Sequence, residues 1–223
     1  MKPSRIYCSL TFLFSFCGFV YLLIMPQASI LLGGAPVFSY VIIFALFIFA
    51  FEAGRVFPAR HDDPARALVL ILGIEGVLAL GGGFVGLGVS FVVTSGWPLV
   101  PVLFLTGALS FILAFCKGAE VALIGGDLHQ DEGSHNRLLL LFYAGVLAAS
   151  ASVVLFLLPL AGLATTAFLT GFVNAVAAMF LFTQRTRISP PRQKLFYLFL
   201  HGHLALAMIL AGCFLYTLGI LKM

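Results

Sequence analysis

Seven continuous apolar stretches, each about 20 residues long or longer, constrain the fold of this chain more than any other feature. They are Ile6–Met25, Val37–Phe57, Ala67–Phe91, Pro98–Ile124, Leu138–Leu158, Ala161–Phe182 and Leu195–Leu221. A helix of about 20 apolar residues spans the ~30 Å hydrocarbon core of a bilayer, whereas barrel strands are shorter and alternate apolar with polar residues. Because lipid admits only helices and closed barrels, the sequence predicts an all-α fold. We expect one polytopic integral membrane bundle of about seven transmembrane helices over residues 1–223.

The composition supports a lipid environment. Hydrophobic residues make up 62% of the chain and charged residues 9%, against roughly 25% charged residues in a soluble domain. The net charge of +4 comes from cations in short loops beside the helix ends, which is typical of membrane insertion signals. We therefore expect the lipid bilayer as a partner, and no nucleic acid. The four cysteines form no Cys-x-x-Cys motif and are interpreted as small hydrophobic residues.

The distribution of lysine and arginine predicts the orientation in the membrane. With a cytoplasmic N-terminus, each of the 12 Lys and Arg residues except Lys222 falls on the cytoplasmic side. The cytoplasmic set is Lys2, Arg5, Arg55, Arg60, Arg66, Lys117, Arg137, Arg185, Arg187, Arg192 and Lys194. Such an excess of cations in short loops marks the cytoplasmic face. The C-terminus is then predicted on the opposite side.

Sequence motifs of known enzymes are absent or out of context. Gly81–Gly86 matches the dinucleotide pattern G-x-G-x-x-G, but that motif works between a strand and a helix, and here it lies inside an apolar helix. Gly82 and Gly86 are instead interpreted as small residues that let helices pack closely. The chain has no P-loop, His-Glu-x-x-His or Gly-x-Ser-x-Gly motif. We expect no cofactor, nominate no catalytic residue, and favour a non-catalytic role.

Acidic residues near the cytoplasmic side carry the main functional hypothesis. Glu75 lies inside the third apolar segment, about eight residues or ~12 Å from its start, where a carboxylate must face the bundle interior. Glu52, Lys117 and Glu120 lie near the cytoplasmic ends of the second and fourth segments. One interpretation is a structural polar cluster, in which Lys117 extends toward the interface and pairs with Glu120. The other is an acidic cavity of Glu75, Glu120 and Glu52 that binds a cation.

Other polar residues have simpler interpretations. Asn174, inside the sixth segment, is expected to form a hydrogen bond between helices. His129 and His135 lie in a polar loop and His201 in the last segment, so they are the candidates for a metal site. However, no ligand spacing repeats, and His201-x-His203 points to opposite faces of a helix. We therefore expect no metal.

Several short segments occur in an order that resembles a known family. They are Gly118–Leu123, Phe142–Leu147, Phe156–Ala167 and Gly171–Asn174, with Ile74–Gly76 in the first half. This order resembles the membrane region of bacterial membrane-bound spermidine-synthase-like proteins. That family has a G-A/M-E/T-F-P segment, a polar loop, a D-Y-x-G-A-x-x-G helix and an L-P-x-x-G-L hairpin. The resemblance spans about Gly18 to Phe182 and assigns Glu75 to the family's L-E segment.

The resemblance implies the fold of a membrane module in the bacterial cytoplasmic (inner) membrane and a polyamine as the class of cation. Two departures limit what it implies. Phe142 replaces the family's Asp, and a seventh helix stands where the family continues into an aminopropyltransferase domain, so no transferase activity is expected from this chain alone. We expect a non-catalytic module that binds or transports a polyamine or another small organic cation. The alternatives are an anchor that recruits a separate synthase or other cytoplasmic partner, and a membrane enzyme with a histidine and carboxylate site.

Overall fold

The computed structural model of the chain describes residues 3–31, 34–56, 64–128, 132–187 and 190–220, and every regular element within them is helical. The α-helices are α1 (Pro3–Ile24), α2 (Gln27–Leu31), α3 (Pro36–Val56), α4 (Pro64–Thr94), α5 (Leu99–Leu128), α6 (Glu132–Ser152), α7 (Gly162–Met179) and α8 (Pro190–Ile220). A π-helix, Val153–Ala161, joins α6 to α7, and a 3₁₀-helix, Phe180–Arg187, follows α7. The predicted all-α fold is confirmed.

Five helical stretches in the described residues are long and apolar enough to cross a membrane. They are Pro36–Val56, Ala65–Thr94, Leu99–Gly125, Asn136–Thr186 and Arg192–Gly219. The apolar part of α1 is shorter, Cys8–Ile24. Four of the helices, α1, α3, α4 and α8, begin at a proline, because the first turn of a helix does not need the N–H that proline lacks. These lengths agree with a bundle that lies in a bilayer.

The longest of these stretches, Asn136–Thr186 with 51 residues, reverses its direction at Gly162. The Thr166 hydroxyl donates a hydrogen bond of 3.0 Å to the Leu157 carbonyl, although nine residues of straight helix would separate them by about 13 Å. Gly162 has φ +76°, a conformation that favours glycine. The two predicted segments Leu138–Leu158 and Ala161–Phe182 are therefore consecutive arms, joined through the π-helix without an irregular loop.

The first helix lies at the centre of the bundle. Side chains along its second half, including Cys17, Val20, Tyr21 and Ile24, are fully buried. α1 packs against α6 and α7, while α4 packs against α7 and α8, and α3 pairs with α5. The buried charged side chains come from α4 and α5, and a buried asparagine and a buried histidine come from α7 and α8.

Glycines set the closest helix contacts. Gly54 of α3 lies against the backbone of Phe115, and Gly118 of α5 lies against the backbone of Phe51, so the two helices touch through their main chains. In α4, Gly86 lies against Ala164 of α7 and Gly82 against the Tyr21 ring of α1. Small residues permit such approach between membrane helices. The interpretation of the Gly81–Gly86 segment as a packing surface is confirmed.

Candidate functional site

A buried ammonium group lies between two buried carboxylates in the interior of the bundle. Lys117 Nζ of α5 is 2.8 Å from Glu75 Oε1 of α4 and 2.7 Å from Glu120 Oε2, one turn further along α5. Glu75 is 0% exposed, Glu120 2% and Lys117 4%. These three residues are called the ion triad below. Two of them, Glu75 and Lys117, lie 42 positions apart in the sequence.

The aliphatic stem of Lys117 runs along α1. A side chain at Gly18 would meet the Lys117 stem at 2.8 to 3.1 Å, so the stem lies directly against this glycine. The ammonium then lies 5.0 Å from the centroid of the Phe14 ring, within the range of a cation–π interaction. Lys117 is therefore held by contacts with α1 along its stem and by charge at its end.

The site residues lie at a common depth in the bundle. Phe14 lies about 11 residues from the start of α1, Glu75 about 11 from the start of α4, and Lys117 about 11 from the end of α5. Asn174 and His203 each lie about 13 residues from the same end, counted through the 3₁₀-helix for Asn174. At 1.5 Å per residue these positions are about 17 to 20 Å from the helix ends. The polar side chains thus form one layer near the middle of the helices.

Asn174 and His203 border the ion triad from α7 and α8. The Asn174 amide donates to the Glu75 carbonyl oxygen at 3.4 Å, so the expected interhelical hydrogen bond is present. His203 is 2% exposed, and its Nδ1 is 2.8 Å from the Phe199 carbonyl oxygen. The Cε1 atom of its ring lies 3.4 Å from the position that a Cβ atom on Gly76, the residue after Glu75, would occupy.

Of these five polar residues, each except Lys117 retains a buried atom with no hydrogen-bond partner among the described residues. The atoms are Glu75 Oε2, Glu120 Oε1, Asn174 Oδ1 and His203 Nε2. Buried polar atoms are nearly always paired, so four unpaired atoms in one layer are unusual. Three of the four are oxygens, which accept hydrogen bonds from an ammonium group or a hydroxyl.

The charges of the ion triad do not balance when all three groups are ionised. Two carboxylates and one ammonium leave one negative charge in a region where removing an ion from water costs several kcal/mol. One additional proton or one additional cation would neutralise the layer. The unpaired oxygens of Glu75 and Glu120 are the atoms available to accept it.

The structure separates Glu52 from this layer. Glu52 lies on the surface of α3, where its carboxylate forms a salt bridge of 2.9 Å with Arg55, and its side chain is 57% exposed. The structure thus brings together Glu75 and Glu120 from the predicted cation-binding set, and leaves Glu52 outside the layer. Lys117 does pair with Glu120, but its ammonium is buried and does not extend toward the interface.

Of the three histidines considered as metal ligands, only His201 has a described side chain. His201 is exposed, with its Nδ1 2.6 Å from the Tyr197 carbonyl oxygen. His129 lies outside the described residues, and for His135 only the backbone, in α6, is described. Within the described ranges no group of three His, Cys, Asp or Glu side chains could hold a metal.

Two contributors to the site escape sequence reasoning. Phe14 is one of 24 phenylalanines, and nothing in its neighbourhood marks it as the ring beneath an ammonium. His203 was considered only together with His201, although its position at the same depth as Glu75 was a usable signal. A comparison of depth across the segments could have placed His203 in the layer, but it would not have distinguished Phe14 from the other phenylalanines.

The comparisons with known proteins give one informative similarity. The chain is similar to polyamine aminopropyltransferase 1 of Streptomyces coelicolor, with 29% identity over 186 residues. The alignment covers 78% of this chain and 34% of the relative, so the chain spans about a third of the relative's length. No protein-family model and no solved structure matches the chain. The similarity supports a relationship to spermidine-synthase-like proteins.

Proposed function

We propose that this chain is a non-catalytic membrane module that binds a polyamine, or a similar small organic cation, at the carboxylates of Glu75 and Glu120. The observation that carries the proposal is the ion triad itself, because both carboxylates already hold an alkylammonium group, that of Lys117. The similarity to a polyamine aminopropyltransferase supports the choice of cation. Binding and transport are both compatible with this site.

The side chain of Lys117 resembles one arm of a polyamine. A lysine side chain is four methylenes that end in an ammonium group, and polyamines are chains of amino groups separated by three or four methylenes. The surface at Gly18, the ring of Phe14 and the two carboxylates, which contact the Lys117 side chain, are therefore complementary to an aminobutyl group. In this proposal Lys117 occupies the site internally, and a polyamine either displaces it or adds a second ammonium to the unpaired oxygens.

The proposed setting is the bacterial cytoplasmic membrane, crossed by about seven helices with the N-terminus inside. The seven crossings would be α1, the two arms on either side of Gly162, and the other four long helices. The basic residues at the ends of α3 and α4 and in the 3₁₀-helix support a cytoplasmic face at that end of the bundle. The ion triad would then lie about 17 to 20 Å from the cytoplasmic helix ends.

A binding measurement on matched glutamate variants tests the proposal. The protein, purified in detergent or in nanodiscs, is titrated with spermidine and its thermal unfolding is followed. We expect spermidine to raise the Tm of the wild type, and Glu120→Gln to weaken the apparent affinity at least about tenfold, which corresponds to ~1.4 kcal/mol. Glu52→Gln is the control, because this carboxylate lies on the surface beside Arg55 and its loss is expected to leave the titration unchanged.

Three outcomes would contradict the proposal. Equal stabilisation of the wild type and Glu120→Gln by spermidine would leave the ion triad as a structural ion pair. Stabilisation by a soluble synthase in the absence of any spermidine effect would instead favour the anchor that recruits a cytoplasmic partner. Turnover of the polyamine by the purified chain would favour the membrane enzyme.

A further inference from the structure

A groove of about 510 Å³ opens on the outer surface of the bundle between α7 and α8. Its walls include Phe172 and Phe180 from the α7 side, and Leu204 and Met208 from α8. Phe180, Leu204 and Met208 are exposed, so the groove faces outward and not toward the ion triad. Its volume lies in the range of small-molecule sites, about 300 to 1,000 Å³. In a bilayer these walls would contact lipid chains.

One end of the groove carries positive charge. Phe182 lines the groove, and the guanidinium of Arg185 lies 4.3 Å from the centroid of its ring. On the other side the Phe182 ring contacts the ring of Tyr197 of α8, with centroids 6.5 Å apart. Arg185 is exposed and forms no salt bridge within the described part of the chain. Its charge is therefore available at the point where the apolar walls end.

The sequence of α8 places a second cation beside the same end. Residues Lys194, Tyr197, His201, Leu204 and Met208 follow one another at intervals of three or four, which places them on one face of the helix. Leu204 and Met208 line the groove and Tyr197 touches its end, so Lys194 lies on the continuation of this face, one turn beyond Tyr197. Lys194 is exposed.

We propose that the groove between α7 and α8 binds an acyl chain of an anionic phospholipid, whose phosphate group is held by Arg185 and Lys194. From Phe172 to Phe182 the groove follows α7 and the 3₁₀-helix for about 15 Å, which suits an extended hydrocarbon chain. Arginine forms paired hydrogen bonds to phosphate oxygens, and basic pockets between membrane helices recognise anionic headgroups. A neutral lipid or an apolar partner helix would match the groove but leave the two cations unused. This proposal does not depend on the cation site.

Lipid retention by matched variants tests this site. The protein in detergent is incubated with phosphatidylglycerol or phosphatidylcholine of the same chains, and bound lipid is counted by native mass spectrometry. We expect at least about fivefold higher retention of phosphatidylglycerol. Arg185→Gln, which removes the headgroup contact, and Ala211→Phe, which fills the groove, should each abolish that preference. The controls are Arg137→Gln, an exposed arginine of α6, and Ala205→Phe, on an exposed face of α8.

A fluorescence measurement keeps the test decisive if Ala211→Phe does not fold. Phe180→Trp places a reporter in the groove, while the single native tryptophan, Trp97, lies between α4 and α5. Phosphatidylglycerol with brominated chains should quench the new tryptophan at several-fold lower concentration than brominated phosphatidylcholine, with no such difference at Trp97.

Three results would overturn the proposal. The first is equal retention of the two lipids by the wild type. The second is competition by inorganic phosphate as strong as that by phosphatidylglycerol, because the groove would then contribute nothing. The third is a dimer in solution that Ala211→Phe converts to a monomer while lipid retention stays unchanged, because a second copy of the chain would then be the occupant.

Discussion

Lys117 is the residue on which the interior of this bundle depends most. Its ammonium is the partner of two carboxylates, and its stem packs against Gly18. Removing one partner of a buried ion pair typically costs about 3 to 5 kcal/mol, because the remaining charge is left without compensation. Here two negative charges would remain together, so the loss of Lys117 is more severe than the loss of either glutamate.

We therefore expect Lys117→Ala to lower the free energy of unfolding by about 3 to 5 kcal/mol and to be rescued by an external amine. Propylammonium has the atoms that the substitution removes, so millimolar propylammonium should restore a large part of the lost Tm. Thermal unfolding in detergent measures both effects. Propan-1-ol is the control, since it has the shape without the charge. Equal rescue by the alcohol would show that the space left by the Lys117 side chain binds a propyl group but that the carboxylates do not select a cation.

The loss of stability on removing the Lys117 charge is expected to depend on whether Glu75 carries a negative charge. Glu75→Gln removes a carboxylate from α4, leaving the Lys117–Glu120 pair neutral, whereas Lys117→Met removes the only cation of the ion triad. We predict that the double variant Glu75→Gln with Lys117→Met is more stable than Lys117→Met alone by about 1 kcal/mol or more, because like charges at close range repel. Chemical unfolding of the single and double variants measures this coupling, and simple additivity would contradict it.

Part of the site was predictable at the level of single residues. The inward orientation of Glu75 follows from the cost of a carboxylate in lipid, and the pairing of Lys117 with Glu120 follows from their spacing of three residues on a helix. The contact between Lys117 and Glu75 was not predictable, because it depends on how α4 and α5 are aligned with each other. The surface position of Glu52 was not predictable either, because its proximity to Arg55 in sequence does not reveal which face of α3 is buried.

At the scale of helices, the crossing of α3 and α5 is the closest contact in the bundle. Gly54 and Gly118 each lie against the backbone of the other helix, near the turn of α5 that carries Lys117 and Glu120. Any side chain at these positions must push the helices apart. The turn of α5 that carries Lys117 and Glu120 is therefore packed directly against α3.

We predict that Gly118→Ala lowers the free energy of unfolding by about 1 to 3 kcal/mol, the usual cost of overpacking. Gly88→Ala is the matched control on α4, because no atom lies within 4 Å of an added Cβ there; it should be neutral or stabilise by up to about 1 kcal/mol, since alanine favours helix over glycine. Thermal unfolding of both variants in one detergent compares them. A neutral Gly118→Ala would mean that α3 and α5 separate easily.

The apolar pattern predicted where most helices lie, but not how two of them join. The continuous apolar stretches and their length located the membrane segments within a few residues. The starts of α4 and α8 lie further toward the N-terminus than predicted, at Pro64 and Pro190. The π-helix Val153–Ala161 was not predicted, because the apolar segments on either side of Pro159 show only that the chain is interrupted there. The short helix Gln27–Leu31 was not predicted because it lies between the first two apolar segments.

At the scale of the whole molecule, the predicted orientation can be tested with reporters fused beside α3 and α4. A reporter fused after Val56 should report the cytoplasm, and one fused after Trp97, in the turn between α4 and α5, should report the opposite side. The reason is the excess of arginine at the first of these ends and the absence of Lys and Arg between Ala67 and Cys116. Signals from the same side at both positions would contradict a single crossing by α4.

The central position of α1 has a consequence for how the protein is made. During translation α1 leaves the ribosome first, yet the helices that enclose it, α6 and α7, are synthesised more than 100 residues later. Membrane helices insert individually and associate afterwards, so the proposed insertion of α1 would leave Thr11, Ser15 and Cys17 uncovered in lipid until the second half of the chain arrives. The enclosure of the first segment would then be a late step of biogenesis. A chaperone or insertase that shields α1 during this interval would set the yield of folded protein.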